Sequence, residues 1–425
     1  MRENSRENAR WNFLALTGEW SAFGIGMSFI SSVTILPVFV RSFTDSNLAV
    51  GLIASIWCLA FSIPQVLVAN YVQGLTRVKP YLLKVGAGER FPWLVLALAV
   101  FFAGSAKPSW LLLFFFLLII VARLSGGLMS PAYMDLVARA VTQRMTGKYL
   151  GLANSVSTAV GAVGGLAAGI FLDTYGFQNG FVLCFLAAFL LTLLSWGSLY
   201  SVREPWRESV KHVTGLAIYL RRLAAVLRGD RDFCLFIASQ VLLSFIGMAT
   251  AFYTAYAIDL LHPTGDQIGV FTFVFLGVQV FTNLLWGYLG DKKGHKLTMQ
   301  LGYICGIAAA LAAAFAQSIQ GFELVFALAG AGFSASIVCW LSMLLEFAGP
   351  ENRPTYIAVG NALVSPFSAA APMIGGVLVG FYQHPLVFLL AAAIAVVGLL
   401  ILTTVRDPRS RSKDRKIERG KKRGR

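Results

Sequence analysis

Twelve long apolar stretches, parted by short polar ones, dominate this chain of 425 residues. They run roughly over residues 13–40, 48–74, 81–104, 108–132, 149–173, 180–201, 233–258, 267–290, 297–318, 322–346, 355–382 and 385–405. An α-helix needs about 20 such residues to cross the hydrocarbon core of a bilayer. None of the stretches alternates like a membrane β-strand, and a lipid-exposed backbone must satisfy its own hydrogen bonds. The expected fold is therefore an all-α integral membrane protein with twelve transmembrane helices. Composition agrees: 57% of residues are hydrophobic and 13% charged, against about 25% charged in a soluble domain. The third span is the tightest fit. Phe91 to Ala106 is too short to cross, so its helix must begin near Pro80, which puts Glu89 and Arg90 inside the bilayer.

The basic residues set the orientation. Of the 35 lysines and arginines, all but Arg41, Lys107, Arg90 and Arg123 fall on one side of the expected spans. Cytoplasmic loops carry such an excess, so both termini are expected on the cytoplasmic side of a plasma membrane (the cytoplasmic membrane in a prokaryote). The net charge of +15 follows from this rule and from the basic tail. It calls for anionic lipid headgroups near the tail and for no nucleic acid. Cys58, Cys184, Cys234, Cys305 and Cys339 are scattered through the spans without metal-ligand spacing, and read as small apolar residues. The first apolar stretch is too long for a cleaved signal peptide.

Residues 203–232 form the longest polar interruption. Val213, Leu216, Leu220, Leu223 and Leu227 share one helical face, with Arg221, Arg222 and Arg228 around the rest, as in a helix lying on the membrane surface. The expected organisation is a six-helix bundle (1–202), this linker (203–232), a second bundle (233–405) and a basic tail (406–425). The halves echo each other. Gly26-Met27 aligns with Gly247-Met248, which sets Glu19 opposite Gln240. Arg144, Tyr149 and Asn154 match Arg353, Tyr356 and Asn361, with Asp135 and Glu346 upstream. Val202-Arg203-Glu204-Pro205 matches Val405-Arg406-Asp407-Pro408. Internal repeats of this kind build many secondary transporters.

Between the eighth and ninth stretches lies Gly287-Tyr-Leu-Gly-Asp291-Lys292-Lys293-Gly294-His295-Lys296. Gly287, Asp291, Lys292, Gly294 and Lys296 resemble the 8–9 loop signature of the major facilitator superfamily, and the resemblance extends along nearly the whole chain. It implies two pseudo-symmetric six-helix bundles around a central path. The 2–3 loop, usually the stronger copy, lacks its acid: Gln73 stands there, followed by Arg77 and Lys79. By the same resemblance, Asp135, Arg144, Asp291, Glu346 and Arg353 form a cytoplasmic gate of salt bridges and helix-end contacts. Exposed ion pairs of about 0–1 kcal/mol each suit a gate made and broken in every cycle. The plainer reading makes them interfacial anchors of helix ends.

Charges within spans are functional by default. Arg123, in Arg123-Leu-Ser-Gly-Gly127, resembles the family's fourth-span signature, with Gly126 in place of Gln. That context implies proton coupling or substrate contact; a structural pair with Glu89 is the alternative. Glu19, two turns into the first span, is the first choice for a proton carrier, because a carboxyl can take up and return a proton as its surroundings change. A hydrogen-bonded structural role is its alternative. Glu89 and Arg90 are adjacent, so they point to different faces and are expected in a buried network with Glu19 or Arg123. Gln65, Gln240, Gln279 and Asn283 either line the cavity or bond between helices.

The expected function is alternating-access transport of a small molecule, in a monomer without cofactor or metal. Proton-coupled export of a partly apolar compound comes first, proton-coupled uptake second, and a non-transporting receptor of the same fold third. The chain offers no catalytic constellation and no long watery loop to hold one, so no enzyme is expected.

Overall fold

The computed structural model describes residues 2–104, 108–141, 143–205, 230–348 and 353–408. The expected surface helix and the basic tail lie mostly outside them. Regular structure among the described residues is helical. The helices are α1 (Arg2–Ser28), α2 (Ile35–Arg41), α3 (Asn47–Gln73), α4 (Lys79–Ala103), α5 (Ser109–Ala140) and α6 (Gln143–Ser201) in the first half. The second half has α7 (Arg231–Leu243), α8 (Gly247–Thr250), α9 (Tyr253–Leu261), α10 (Gly265–Lys293), α11 (His295–Phe315), α12 (Ile319–Phe347), α13 (Arg353–Phe381) and α14 (His384–Thr404). Among the described residues, ten stretches are long and apolar enough to cross a membrane. One of them, Gly151–Ser201, is 51 residues long and holds two crossings. It turns at Gly176, whose φ of 70° is open to glycine, and its arms then pack together through Gly180 on Phe171 and Leu172. The α1–α2 pair supplies the remaining crossing, so the described helices make twelve, six in each half.

Local sequence explains where the helices start. Ser46, Asp230 and Ser318 cap α3, α7 and α12 by accepting backbone N–H groups, and Thr264 with Gln267 forms a capping box on α10. The polar decapeptide differs from a loop. α10 continues through Asp291 to Lys293, and Gly294 alone makes the turn, at φ 102°. α5 likewise runs past its apolar stretch to Ala140, carrying Asp135 and Arg139 in its last turns.

The repeat is written in the packing. Gly127 of α5 lies against the carbonyl of Phe61 in α3, and Gly330 of α12 lies against the carbonyl of Phe275 in α10, so close that a Cβ at either glycine would collide. Lys79 donates Nζ to the carbonyls of Tyr200 and Val202; Lys296 donates to those of Thr403 and Val405. Phe13 packs edge-on to Tyr149, and Phe233 packs on Tyr356. The first and seventh crossings both break, α1 after Ser28 and α7 after Leu243.

The halves meet along two seams. α6 touches α10 from Asp173 beside Gly265, through Gly169 on Gly269, to Gly161 beside Leu276. α3 touches α13 from Asn47 beside Gly376, through Gly51 on Pro372, to Cys58, whose thiol donates to the Ser365 carbonyl at 3.8 Å. Each seam covers about 16–18 Å of helix, roughly half of a hydrocarbon core, and both start at the end of the molecule that carries Arg41. The opposite end carries Lys79 and Lys296.

Candidate functional site

Among the described residues of the first half, four acidic or basic side chains are buried: Glu19, Glu89, Arg90 and Arg123, with 4, 8, 1 and 9% of their surfaces exposed. They form two groups. In one, Glu19 turns into the helix bundle. Tyr133 of α5 donates its hydroxyl to Glu19 Oε2 at 2.7 Å, and Ser195 of α6 donates to Oε1 at 3.0 Å. The hydroxyls of Tyr133 and Tyr149 are 2.8 Å apart. Since the one proton of Tyr133 goes to Glu19, Tyr149 is the donor between them. Arg90 closes the group. Its Nη2 donates to Ser195 Oγ at 3.4 Å, its Nε to the Thr192 carbonyl at 2.9 Å and its Nη1 to the Gly86 carbonyl at 2.9 Å.

The second group holds Arg123 and Glu89. The Arg123 guanidinium lies over the rings of Trp57 (4.3 Å) and Phe61 (4.6 Å), a cation–π stack on one face of α3. Its Nε is buried without a hydrogen-bond partner. Glu89 sits in the notch that Gly126 leaves by lacking a side chain. It reaches the neighbouring Arg90 at 3.9 Å, and Arg123 is the other positive charge that acts on it. Adjacent residues thus serve two groups, as their placement on α4 dictates. Glu19 and Arg123, the two candidates for proton coupling, are apart: Tyr133 follows Arg123 on α5 by ten residues, about 15 Å. Arg90, not Arg123, is the cation of the Glu19 group.

The second half has the same frame without the charges. Gln240, in the place of Glu19, accepts from the Tyr303 hydroxyl at 2.6 Å. Phe326 precedes Gly330 as Arg123 precedes Gly127, and it stacks on Phe271, the counterpart of Trp57, at 4.8 Å. Eleven residues beyond Lys79 lies Arg90; eleven beyond Lys296 lies Ile307. The remaining expected polar residues divide. Gln65 and Gln279 each donate back to the carbonyl four residues earlier, Phe61 and Phe275. Gln279 is buried, and Asn283 is half-buried one turn further along α10.

At the lysine end, the contacts seen among the described residues include several within each half. Asp135 pairs with Arg139 on its own helix. Arg139 also donates to the carbonyls of Leu75 and Thr76 and to Glu204. Glu204 in turn accepts the backbone N–H groups of Val78 (2.7 Å) and Lys79 (3.0 Å). The acid absent from the 2–3 turn is thus supplied from beyond α6. In the second half, Asp407 stands beside Gly294 in the corresponding place. Glu346 meets His295 Nδ1 at 2.6 Å. Lys292 folds onto Tyr288, Asp291 is exposed, and nothing crowds Gly287. Arg144 and Arg353 start helices, but their side chains lie outside the described residues.

Sequence reading missed the polar contacts that join the halves at the other end. Arg41 donates Nε to Asp259 Oδ1 at 3.0 Å and also holds the Asp45 carbonyl and Asn47 Oδ1. The break after α1 frees the Val33 carbonyl, which accepts from Thr254 Oγ1 at 2.7 Å, and the Thr34 and Thr272 hydroxyls are 2.7 Å apart. The lone arginine of a charge-poor side was the available signal; its partner is 218 residues away.

The Major Facilitator Superfamily model matches residues 235–424. An uncharacterised MFS-type transporter of Methanocaldococcus jannaschii is 23% identical over 408 residues, which cover 94% of this chain and 96% of that protein. Among solved structures, the fold is similar to a D-xylose-proton symporter (TM-score 0.70, 13% identity, 93% of this chain and 98% of that one). It is also similar to a bacterial homolog of the human lysosomal transporter Spinster in an inward-facing, occupied conformation (TM-score 0.66, 14% identity, 92% and 96%). With twelve crossings among its described helices, two repeated halves and this relative along nearly its full length, the chain is similar to the transporters of the major facilitator superfamily.

Proposed function

We propose that this transporter couples the movement of protons to the export of a small, partly apolar solute. The observation that carries the reading is the asymmetry of the embedded charges: Glu19, Glu89, Arg90 and Arg123 all lie in one half, while Gln240, Gly306, Ile307 and Phe326 take their places in the other. A repeat that keeps its frame and charges one copy has a use for the charge, because an ionised side chain inside a membrane is expensive. Glu19 carries the proton, with the hydroxyls of Tyr149 and Tyr133 leading to it. Arg90 stands behind Ser195 as the fixed counter-charge.

The lysine end faces the cytoplasm with both termini, by the excess of basic residues. The Arg41–Asp259 contact and the two seams then close the outer side, and the halves rock about those seams to load on one side and release on the other. One chain holds the whole path and works as a monomer, moving its solute without chemical change. A receptor of this fold would bind solute and move none.

Purified protein in proteoliposomes decides the matter. A solute chosen by thermal shift should accumulate when a pH gradient is imposed and stop doing so when a protonophore collapses it. Movement indifferent to the gradient would rule out proton coupling, and accumulation under a gradient suited to co-transport would assign uptake instead.

A further inference from the structure

We propose that Arg123 is an anion anchor that receives the carboxylate of a solute whose remaining body is apolar. The proposal rests on the transport reading above and deepens it by naming the solute class.

The two buried arginines differ in what they hold. Arg90 spends Nε, Nη1 and Nη2 on Thr192, Gly86 and Ser195. Arg123 is 9% exposed, and its Nε is buried with no partner. Its Cζ lies over the rings of Trp57 and Phe61, which offer the N–H groups no lone-pair acceptor. A guanidinium so placed presents a fork that matches a carboxylate in two parallel hydrogen bonds. A charged donor left unpaired in a buried place is costly, and a ligand that completes it recovers the loss.

The surroundings limit what the ligand can be. Glu89 lies near enough to act on Arg123 but is held in the Gly126 notch and faces Arg90 at 3.9 Å, so one countercharge is already present and is shared with an arginine whose own donors are spent elsewhere. Cys58, one residue from Trp57, reaches across to Ser365 of the other half. Arg123 therefore stands at the inner limit of a seam, where the halves part. In the other half the counterpart position is Phe326 on Phe271. A site with one unspent guanidinium donor, aromatic rings around it and an acid already beside it fits a monoanion with an apolar body.

The test uses the full chain in detergent with 2-naphthoate as probe and the neutral 2-naphthamide as its isostere. Naphthoate should quench tryptophan fluorescence saturably and bind roughly 10-fold or more tighter than the amide. Arg123→Met should remove that preference, and Glu89→Gln, which removes the competing carboxylate charge, should strengthen naphthoate binding several-fold. Naphthoate, but not the amide, should also slow maleimide labelling of Cys58 in the unmutated protein, read by peptide mass spectrometry. That arm stands even if Arg123→Met fails to fold. Equal affinity for acid and amide, or a preference that survives Arg123→Met, would overturn the proposal. The transport reading is judged separately in proteoliposomes. Naphthoate bound through Arg123 but never carried would uphold the anchor against that reading, while naphthoate carried equally well by Arg123→Met would do the reverse.

Discussion

Arg123 and Phe326 occupy the same place in the two halves. Each lies four residues before the glycine that packs on a helix carbonyl, Gly127 on Phe61 and Gly330 on Phe275, and each faces the aromatic ring one turn back, Trp57 or Phe271. The second half thus shows what the fold needs at this position, which is an apolar ring. Arg123→Phe combined with Glu89→Gln should therefore fold, with thermal stability unchanged or raised, because replacing both members of a buried charge pair by uncharged residues is often neutral or stabilising. Transport should be lost. A large fall in melting temperature would mean that the pair is structural.

The glycine contacts give a second test. A methyl group at Gly127 or Gly330 meets backbone, which cannot give way cheaply. Each Gly→Ala change should cost roughly 1–3 kcal/mol, the range for overpacking, and the two losses should be similar if the repeat is sound. Gly277→Ala, where nothing lies within 4 Å, serves as the control and should leave the unfolding transition in place. Differential scanning fluorimetry in detergent reads all three.

The Arg41–Asp259 pair is half open to solvent on the acid side, with 38% of the Asp259 side chain exposed. Such a pair is worth up to about 1 kcal/mol, which is enough to shift a two-state balance about 5-fold. Asp259→Asn should increase the population open at that end. Maleimide labelling of a cysteine placed at Thr34 or Thr272 should rise by about that factor, and unchanged labelling would remove the pair from the closure.

Glu204 holds the start of α4 through the N–H groups of Val78 and Lys79 and is itself held by Arg139. Glu204→Gln keeps one acceptor and loses the charge. Hydrogen exchange at residues 74–79 should quicken while exchange across the seams stays the same. No change at these amides would show that the backbone alone fixes the turn.

Much of the architecture was legible in the chain because lipid imposes a length on every span. The apolar stretches end within a few residues of α3, α4 and α14, and Val202 and Val405, aligned in the repeat, accept matched contacts from Lys79 and Lys296. Burial of Glu89 and Arg90 followed from the length of the third span. Three things were hidden, each because it depends on contacts distant in sequence. Glu19 pairs with Arg90 through Ser195 rather than with Arg123. Glu204 supplies the acid that the 2–3 turn lacks. Arg41 and Asp259 meet only after both broken crossings have folded. The turn of the decapeptide was misjudged for a local reason. Charged residues such as Asp291 and Lys292 extend a helix readily into water, so polarity marked the end of the span and not the end of α10.

The claim that Glu19 couples a proton to solute movement is tested most directly by comparing Glu19→Gln with the unaltered protein in one proteoliposome preparation. Exchange of labelled for unlabelled solute needs no net proton transfer; accumulation against a solute gradient does. The variant keeps an oxygen to accept from Tyr133 or Ser195, so it should exchange solute at a comparable rate and fail to accumulate it under an imposed pH gradient. Accumulation by Glu19→Gln equal to that of the unaltered protein would contradict the account.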